Sequence, residues 1–266
     1  MAHEKWLVSG PKVIDLEAVR RLKVGLVGGQ VDIVAHDEPS TRVEVHSVTG
    51  RELKITLDGD VLEIDHPQLS WESWLETIRA FKSTAKADLS IMVPRTATLR
   101  LGVVSAEALV SGLTEDAVLS TVGGSIVADS LLGDLQLNAV NAELSVRNHT
   151  GDVTVNTVSG DVTVSGAVHR FSCDGVSGDV ILDFTGIPDD VRVNTVNGNV
   201  TLRLDDGVPA RYRIHTVSGK LQLDDSAVSG VRGKYTGSYG QLDKSWLDFA
   251  ANTVSGDVSV LHAVRA

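Results

Sequence analysis

The chain has 266 residues and a formal net charge of −11, and 42% of its residues are apolar against only 4% aromatic. The negative charge and the lack of clustered Lys and Arg argue against nucleic acid and anionic lipid as partners, because phosphate contacts need clustered cations. The single cysteine, Cys173, excludes an internal disulfide framework. With 25 Gly and 6 Pro, the composition favours a narrow β core with many tight turns.

The sequence shows no targeting or membrane-spanning segment. Met1 to Trp6 contain no basic segment followed by an apolar run, so we expect no signal peptide. No stretch of about 18 apolar residues occurs, so we expect no membrane-spanning helix. These expectations together favour a cytoplasmic location.

Residues 1–96 predict an irregular, strand-rich N-terminal portion. Gly25 to Val34 reads as a diverged copy of the repeat that follows it in the chain. Arg42–Val45 and Leu53–Leu57 alternate between apolar and polar residues, as strands do. Asp58-Gly59 is typical of a two-residue hairpin turn.

One short helix is predicted within this portion, over about 70–82. Its apolar residues recur at helical spacing, and Ser70 suits the N-cap; they are Trp71, Trp74, Leu75 and Ile78. We expect this helix to cap the open end of the β array that follows it, because an uncovered end aggregates. Trp71 and Trp74 are also candidates for contact with a partner, since Trp often anchors interfaces.

From Leu99 to Leu182 the sequence repeats every nine residues. Two apolar positions, two residues apart, recur in each copy and must share one face of a strand. The first column is Leu99, Ala108, Ala117, Ile126, Leu135, Leu144, Val153, Val162, Phe171 and Val180. The second column is Leu101, Val110, Leu119, Ala128, Leu137, Val146, Val155, Val164, Cys173 and Leu182.

The nine-residue units alternate between two forms, so the natural coil has 18 residues. Four valines lie at T-V-S-G-like corners and are 18 residues apart: Val122, Val140, Val158 and Val176. Successive coils should stack about 4.8 Å apart through parallel ladder hydrogen bonds. The pattern therefore predicts a parallel β-solenoid over residues 97–266, with caps at both ends.

After Leu182 the motif persists with wider spacing, and the extra residues are interpreted as enlarged corners. The motif recurs at Thr195–Leu202, Thr216–Leu223 and Thr253–Val260. The longest insertion, about 224–251, includes Gly230–Gly240, which we predict to be an exposed loop. Its aromatic residues are candidates for binding a partner, or alternatively for covering the C-terminal end of the solenoid: Tyr235, Tyr239 and Trp246.

The T-V-S-G-D-V-T-V units, preceded by an irregular strand-rich third, resemble a bacterial β-strand-repeat family of unknown function. Its members are called putative adhesins and are related to toastrack-type domains of cell-envelope stress modules. The resemblance covers most of the chain and is strongest from about Leu99 to Val260. It implies an all-β, single-stranded, right-handed β-helix, and it supplies no catalytic residue.

Two polar positions of the repeat, the Asp after the corner Gly and the Asn before the corner, are candidate ligand sites. Gly is followed by Asp134, Asp152, Asp161, Asp179 and Asp257 at five corners. Stacked carboxylates could bind Ca²⁺, but Gly-Asp also suits a corner at which Asp accepts bonds from nearby amides, and we favour this role. The asparagines before the corners could recognise a ligand, but stacked amides that satisfy the backbone are favoured: Asn138, Asn156, Asn194 and Asn252.

No catalytic, cofactor or metal site is predicted from the remaining residues. Cys173 occupies an inward position and is interpreted as a small core residue. His149 has no Cys or His at ligand spacing and is interpreted as a tolerated corner histidine. No nucleophile, base and orienting group recur together in a known catalytic pattern.

Three classes of function stay open at this point. The favoured one is a non-enzymatic scaffold or binding module with an unknown protein or ligand partner, linked through the resemblance to envelope-stress or regulatory systems. The second is a structural protein that polymerises through its solenoid ends. The third is a polysaccharide-active β-helix enzyme that uses paired carboxylates.

Overall fold

The computed structural model describes residues 3–17, 19–66, 85–224, 226–228 and 233–263, and these residues are all-β, without a helix. The helix predicted over about 70–82, with Trp71 and Trp74, lies outside the described residues. In the described part, no helix is long and apolar enough to cross a membrane. The chain forms two compact units, Met1–Gly133 and Asp134–Ala266. The change to regular repeats near residue 96 falls inside the first unit.

The described residues of the first unit form nine strands. They are β1 (His3–Val8), β2 (Lys12–Leu16), β3 (Arg21–His36), β4 (Thr41–Thr49), β5 (Leu53–Asp58), β6 (Val61–Asp65), β7 (Lys86–Pro94), β8 (Thr98–Ser111) and β9 (Ala117–Asp129). β3 and β8 pair in parallel along most of their length, and β8 pairs in parallel with β9. The segment Gly25 to Val34 is therefore a coil of the array, as its sequence predicts.

The other side of β3 carries the strands of the irregular portion. Its first half pairs in parallel with β6 and its second half with β7. Antiparallel strands follow on both: β5 and then β1 beyond β6, and β4 and then β2 beyond β7. The predicted strands and hairpin are confirmed, with the two-residue turn at Gly59-Asp60, one residue later than expected.

The two apolar columns of the nine-residue repeat lie in the cores of the two units. All twenty of their residues, from Leu99 and Leu101 to Val180 and Leu182, are buried. Burying a Val or Leu side chain contributes roughly 1.5–3 kcal/mol. The repeat therefore encodes the register of these strands and the apolar burial along them.

His66 is a buried histidine of the first unit that bonds to the backbone. It follows β6, and its Nδ1 accepts a hydrogen bond from the backbone N–H of Val27 at 3.3 Å. The proton of the neutral ring therefore lies on Nε2, which has no hydrogen-bond partner among the described residues. Burial, with a smaller effect of the positive charge of Arg51, lowers the pKa of His66 to about 4.

This buried histidine predicts a loss of stability in acid. Because the folded-state pKa is below the ordinary value of 6.5, the unfolded chain binds more protons between the two values. The part of the free energy of unfolding that depends on His66 is at its full value above about pH 6.5 and decreases as the pH falls towards 4. His66→Asn keeps an acceptor for the Val27 N–H but cannot bind a proton. We expect the acid-induced decrease in its free energy of unfolding to be about 2–3 kcal/mol smaller than that of the wild type. Urea unfolding at several pH values measures this difference.

The control for this experiment is the exposed His46, changed to Asn in the same way. Burial raises the pKa of the neighbouring Asp65 carboxyl, which acts in the opposite direction. The readout is therefore the difference between His66→Asn and the wild type, in which the contribution of Asp65 cancels. Parallel pH dependences for these two proteins would show that His66 does not set the acid loss.

In the described part of the second unit there are eleven strands. They are β10 (Leu135–Ser159), β11 (Val162–Asp174), β12 (Val180–Phe184), β13 (Asp190–Asn197), β14 (Val200–Asp205), β15 (Ala210–Thr216), β16 (Leu221–Leu223), β17 (Ser226–Val228), β18 (Gly233–Tyr239), β19 (Leu247–Ser255) and β20 (Val258–Ala263). Leu144 pairs with Val162, and Val162 pairs with Val180, all in parallel. The 18-residue coil is thereby confirmed in this part of the chain.

The last motif of the chain is inserted between two earlier ones. β13 pairs with β19 and β14 with β20, so Thr253–Val260 stacks directly on Thr195–Leu202. β15 and β16 pair with the opposite edges of β19 and β20, all in parallel. β13 and β14 still stack in chain order on β11 and β12, so the expectation that successive coils stack in chain order is wrong only after β14. β18 runs antiparallel to β15, which returns the chain to the level at which β19 begins.

The region predicted to be an exposed loop contains a strand. Gly233–Tyr239 forms β18, which pairs antiparallel with β15 from Ala210 to Thr216. Residues at alternate positions of β18 are half-buried. The loop prediction is therefore wrong for this segment, because its backbone N–H and C=O groups pair with the outer edge of β15. A short antiparallel strand, β17, pairs with β16 in the same way.

Candidate functional site: a groove between a valine column and an amide column

A repeated polar-Thr-Val tripeptide builds one surface of the second unit. In Asn194-Thr195-Val196 the threonine points into the core, and the two flanking side chains point outward. The same arrangement occurs in Asn252-Thr253-Val254 and in His215-Thr216-Val217. Parallel pairing places the three tripeptides side by side, with Asn194 opposite Asn252 and His215 opposite Asn252.

The valines of these corners form an exposed apolar column. Their side chains are between 42 and 53% exposed, and the column consists of Val158, Val176, Val196, Val254 and Val217. Isolated exposed apolar residues are normal on protein surfaces, but a contiguous row of them marks a contact surface. A structural role at a corner does not explain why all of these valines expose their side chains to solvent.

The polar residues two positions earlier form a second, parallel column. Asn156 Nδ2 donates to Asn138 Oδ1 at 3.1 Å. Asn194 Nδ2 donates to Asp174 Oδ1 at 2.8 Å, and Asn252 Nδ2 donates to Asn194 Oδ1 at 2.8 Å. The predicted stacking of the asparagines is confirmed, but their partners are side chains of adjacent coils rather than backbone groups. These bonds fix the orientation of each amide.

The two columns enclose a groove of about 380 Å³, which we call the valine–amide groove. Its walls include Asp174, Asn194 and Asn252 on one side and Val196 and Val254 on the other. Its floor is made of buried threonines, except where Gly175 removes a side chain. A volume of this size is within the range of small-ligand sites. Sequence analysis did not find this site, although the outward spacing of Asn and Val was available as a signal.

The Gly-Asp corners form a separate ladder with a structural role. Asp161 Oδ1 accepts from the backbone N–H of Asp179 at 2.9 Å, and Asp179 Oδ1 accepts from that of Asn199 at 2.8 Å. Asp257 Oδ1 likewise accepts from the backbone N–H of Lys220 at 2.7 Å. The predicted corner role is therefore confirmed for these carboxylates. In the part of the chain that is described, no group of three His, Cys, Asp or Glu side chains could hold a metal.

Cys173 and His149 are both part of the interior. Burial raises the pKa of the Cys173 thiol to about 12, which keeps it protonated and unreactive, so its interpretation as a core residue is confirmed. His149 is fully buried in β10, opposite Gly166, where the strand register shifts between Val146 and His149. Its interpretation as a tolerated corner histidine stays a prediction.

Two of the three aromatic candidates of the insertion, Tyr235 and Tyr239, lie on β18, which pairs with β15. The ring of Tyr239 stacks on His262 with centroids 3.8 Å apart, and Asp224 and the carbonyl of Val208 lie 3.2 and 3.1 Å from the nitrogens of that histidine. Tyr235 shares a face of β18 with Tyr239 and is half-buried. Trp246 is half-buried just before β19. Partner binding by Tyr235, Tyr239 and Trp246 stays a prediction.

Comparisons with known proteins concern the fold. No curated protein matches the chain. Among solved structures, a "putative lipid binding protein" from Parabacteroides distasonis is 11% identical, covers 95% of this chain and 97% of its own, and has a TM-score of 0.54. A "putative adhesin" from Bacteroides fragilis is 12% identical, covers 94% of this chain and 97% of its own, and has a TM-score of 0.46.

The family of the chain is shown by a match between its sequence and a family model. The family described as Toastrack DUF4097 matches residues 19–261, which include every strand from β3 to β19 and every copy of the T-V-S-G motif. The structure from Parabacteroides distasonis has a similar fold, and at 11% identity this similarity concerns the fold alone. The resemblance carried by the T-V-S-G-D-V-T-V units is thus confirmed, and the chain belongs to the toastrack DUF4097 family.

Proposed function

We propose that this chain is a non-enzymatic binding module and that the valine–amide groove is its contact surface. The observation that carries the proposal is the row of half-exposed valines beside a row of oriented amides. Covering the valines with a ligand removes apolar surface from water, at roughly 25 cal/mol per Å². The amides are already fixed by their mutual hydrogen bonds, so a ligand loses little free energy to order them.

The family supports a binding role without naming the ligand. One solved structure of this fold is described as a "putative lipid binding protein". An enzyme is not favoured, since the groove has a single carboxylate, Asp174, among its described residues, and a glycosidase needs two. The link to envelope-stress or regulatory systems is a proposal that rests on the family alone.

Self-assembly through the coil ends is less favoured than ligand binding. In the second unit the parallel ladders end in the antiparallel strands β17 and β18, and in the first unit they end in β1 and β2. Parallel coils cannot continue past an antiparallel strand without a change of hydrogen-bond pattern. The arrangement therefore supports ends that are closed rather than ends that polymerise.

A fluorescent label at the groove tests the proposal. Val196→Cys can be labelled selectively because Cys173 is buried and its thiol stays protonated. We expect an environment-sensitive dye at this position to respond to at least one of three probes: neutral glycans, vesicles of zwitterionic phospholipid, or extended peptides. Ile181, which is 43% exposed against 42% for Val196, gives the matched control as Ile181→Cys. No response to any probe, or equal responses at both positions, would overturn the proposal.

A further inference from the structure

We propose that the ligand of the valine–amide groove is an extended, neutral, β-linked glycan chain. This inference rests on the proposed binding function and names the chemical class of its ligand. Three properties of the groove support it: the spacing of its side chains, the pairing of polar with apolar groups, and its charge. Each property also argues against another class of ligand.

The spacing of the groove fits a polymer with one unit per coil. Parallel strands lie about 4.8 Å apart, so each coil presents one polar side chain and one valine at that interval. An extended β-1,4-linked glycan advances by close to one such interval for each sugar ring. An extended peptide advances by about 3.3 Å per residue and falls out of step with the coils. The match continues across four coils, those of Val176, Val196, Val254 and Val217.

The chemistry of the groove fits a ring that is polar at its edge and apolar on its face. Each amide of Asn194 and Asn252 has two N–H donors, and the ladder bond uses one of them. Sugar hydroxyls both donate and accept, so they can bond to the remaining amide groups and to the Asp174 carboxylate. The C–H face of the ring can pack on Val196 and Val254.

An acyl chain fits this groove less well than a glycan. It would cover the valines but would also cover polar groups that it cannot pair. Each buried polar group left without a hydrogen bond costs about 1–3 kcal/mol. The polar column runs beside the valines for the full length of the groove, so this cost would recur at every coil.

The charge of the groove favours a neutral glycan over an acidic one. The described residues that line it include Asp174 and no Lys or Arg. The whole chain has a formal net charge of −11. An anionic polymer would therefore meet the Asp174 carboxylate with no Lys or Arg among the described lining residues to offset it, on a chain whose net charge is negative.

The test is affinity electrophoresis of the full chain through gels that contain hydroxyethyl cellulose, with binding to insoluble cellulose and chitin as a second assay. We expect the wild type to be retarded by at least one of these neutral β-glycans. Asn194→Ala should weaken binding about tenfold through the loss of oriented hydrogen bonds. Val196→Ser should weaken it several-fold, whereas Ile181→Ser, matched in exposure, should bind as the wild type does.

Asp174→Asn separates the effect of charge from that of shape. Since adjacent coils carry Asn at this position, the variant should fold, and its affinity for the anionic carboxymethyl cellulose should rise relative to its affinity for hydroxyethyl cellulose. Urea unfolding confirms that each variant is folded. Absence of retardation on every neutral glycan, or equal losses for Val196→Ser and Ile181→Ser, would overturn the inference. If the dye at residue 196 then responds to vesicles or peptides, the binding function stands and only the glycan is wrong.

Discussion

Replacing Gly178 with Ala is expected to lower the free energy of unfolding by about 3–5 kcal/mol, although it adds only one methyl group. Gly178 lies at a T-V-S-G-like corner with a φ of +124°, a conformation open almost only to glycine. A Cβ atom there would lie 2.2 Å from the carbonyl oxygen of Gly160 in the adjacent coil. That oxygen is backbone within a stacked coil, so it cannot move aside without disturbing the ladder. Urea unfolding measures the loss.

Gly186→Ala is the matched control because it separates strain in the backbone from the clash between coils. Gly186 also has a positive φ, +77°, but a Cβ atom there meets nothing within 4 Å. We expect a loss of about 1–2 kcal/mol from the backbone conformation alone. Equal losses for the two variants would show that the close approach of the coils does not require glycine at position 178.

The elements that sequence could predict are those that depend on local periodicity. The alternation of apolar residues two positions apart determines which side chains point inward, and the columns from Leu99 to Leu182 are buried as predicted. The corner role of Asp161 and Asp179 could also be predicted, because Asp after Gly commonly accepts a nearby backbone N–H. Both properties are encoded within a few residues, so one copy of the repeat is sufficient to show them.

The order of the last three coils could not be predicted, because it depends on pairing between distant copies. T-V-S-G-K-L-Q-L at Thr216–Leu223 and T-V-S-G-D-V-S-V at Thr253–Val260 present nearly the same face to a neighbour. Either could stack on Thr195–Leu202 as far as local pattern is concerned. The structure pairs the later copy there, with β18 as the connection that makes this order possible.

The candidate site could not be predicted from the repeat alone, because the repeat predicts the coil and not the surface that stacked coils form. The corner valines define the 18-residue coil by their spacing, and their exposed side chains are a second property of the same positions. Inward Thr195 and Thr253 require that Asn194, Val196, Asn252 and Val254 all point outward, which the alternation of a strand already implies. The groove then arises only when parallel pairing aligns these residues across coils.

Replacing Phe249 with Ala is expected to cost about 3–5 kcal/mol and to reveal the strand order directly. Phe249 is fully buried in β19, opposite Val191 of β13 on one side and Tyr212 of β15 on the other. Its ring meets Tyr212 edge to face, with centroids 6.5 Å apart. A cavity at this position should therefore weaken both neighbouring strands. Urea unfolding gives the energy, and amide hydrogen exchange gives the location.

The location of the faster exchange distinguishes this strand order from stacking in chain order. With β19 in the middle, amide exchange should accelerate in β13 and in β15 together, because both lose the packing of the same side chain. Phe184→Ala removes an equally buried ring that packs on Phe171 at 5.8 Å, so it should accelerate exchange in β11 and leave β15 protected. If Phe249→Ala leaves either β13 or β15 fully protected, β19 does not lie between them. The valine–amide groove would then lose the coil that supplies Asn252 and Val254, so this experiment also tests the foundation of the proposed site.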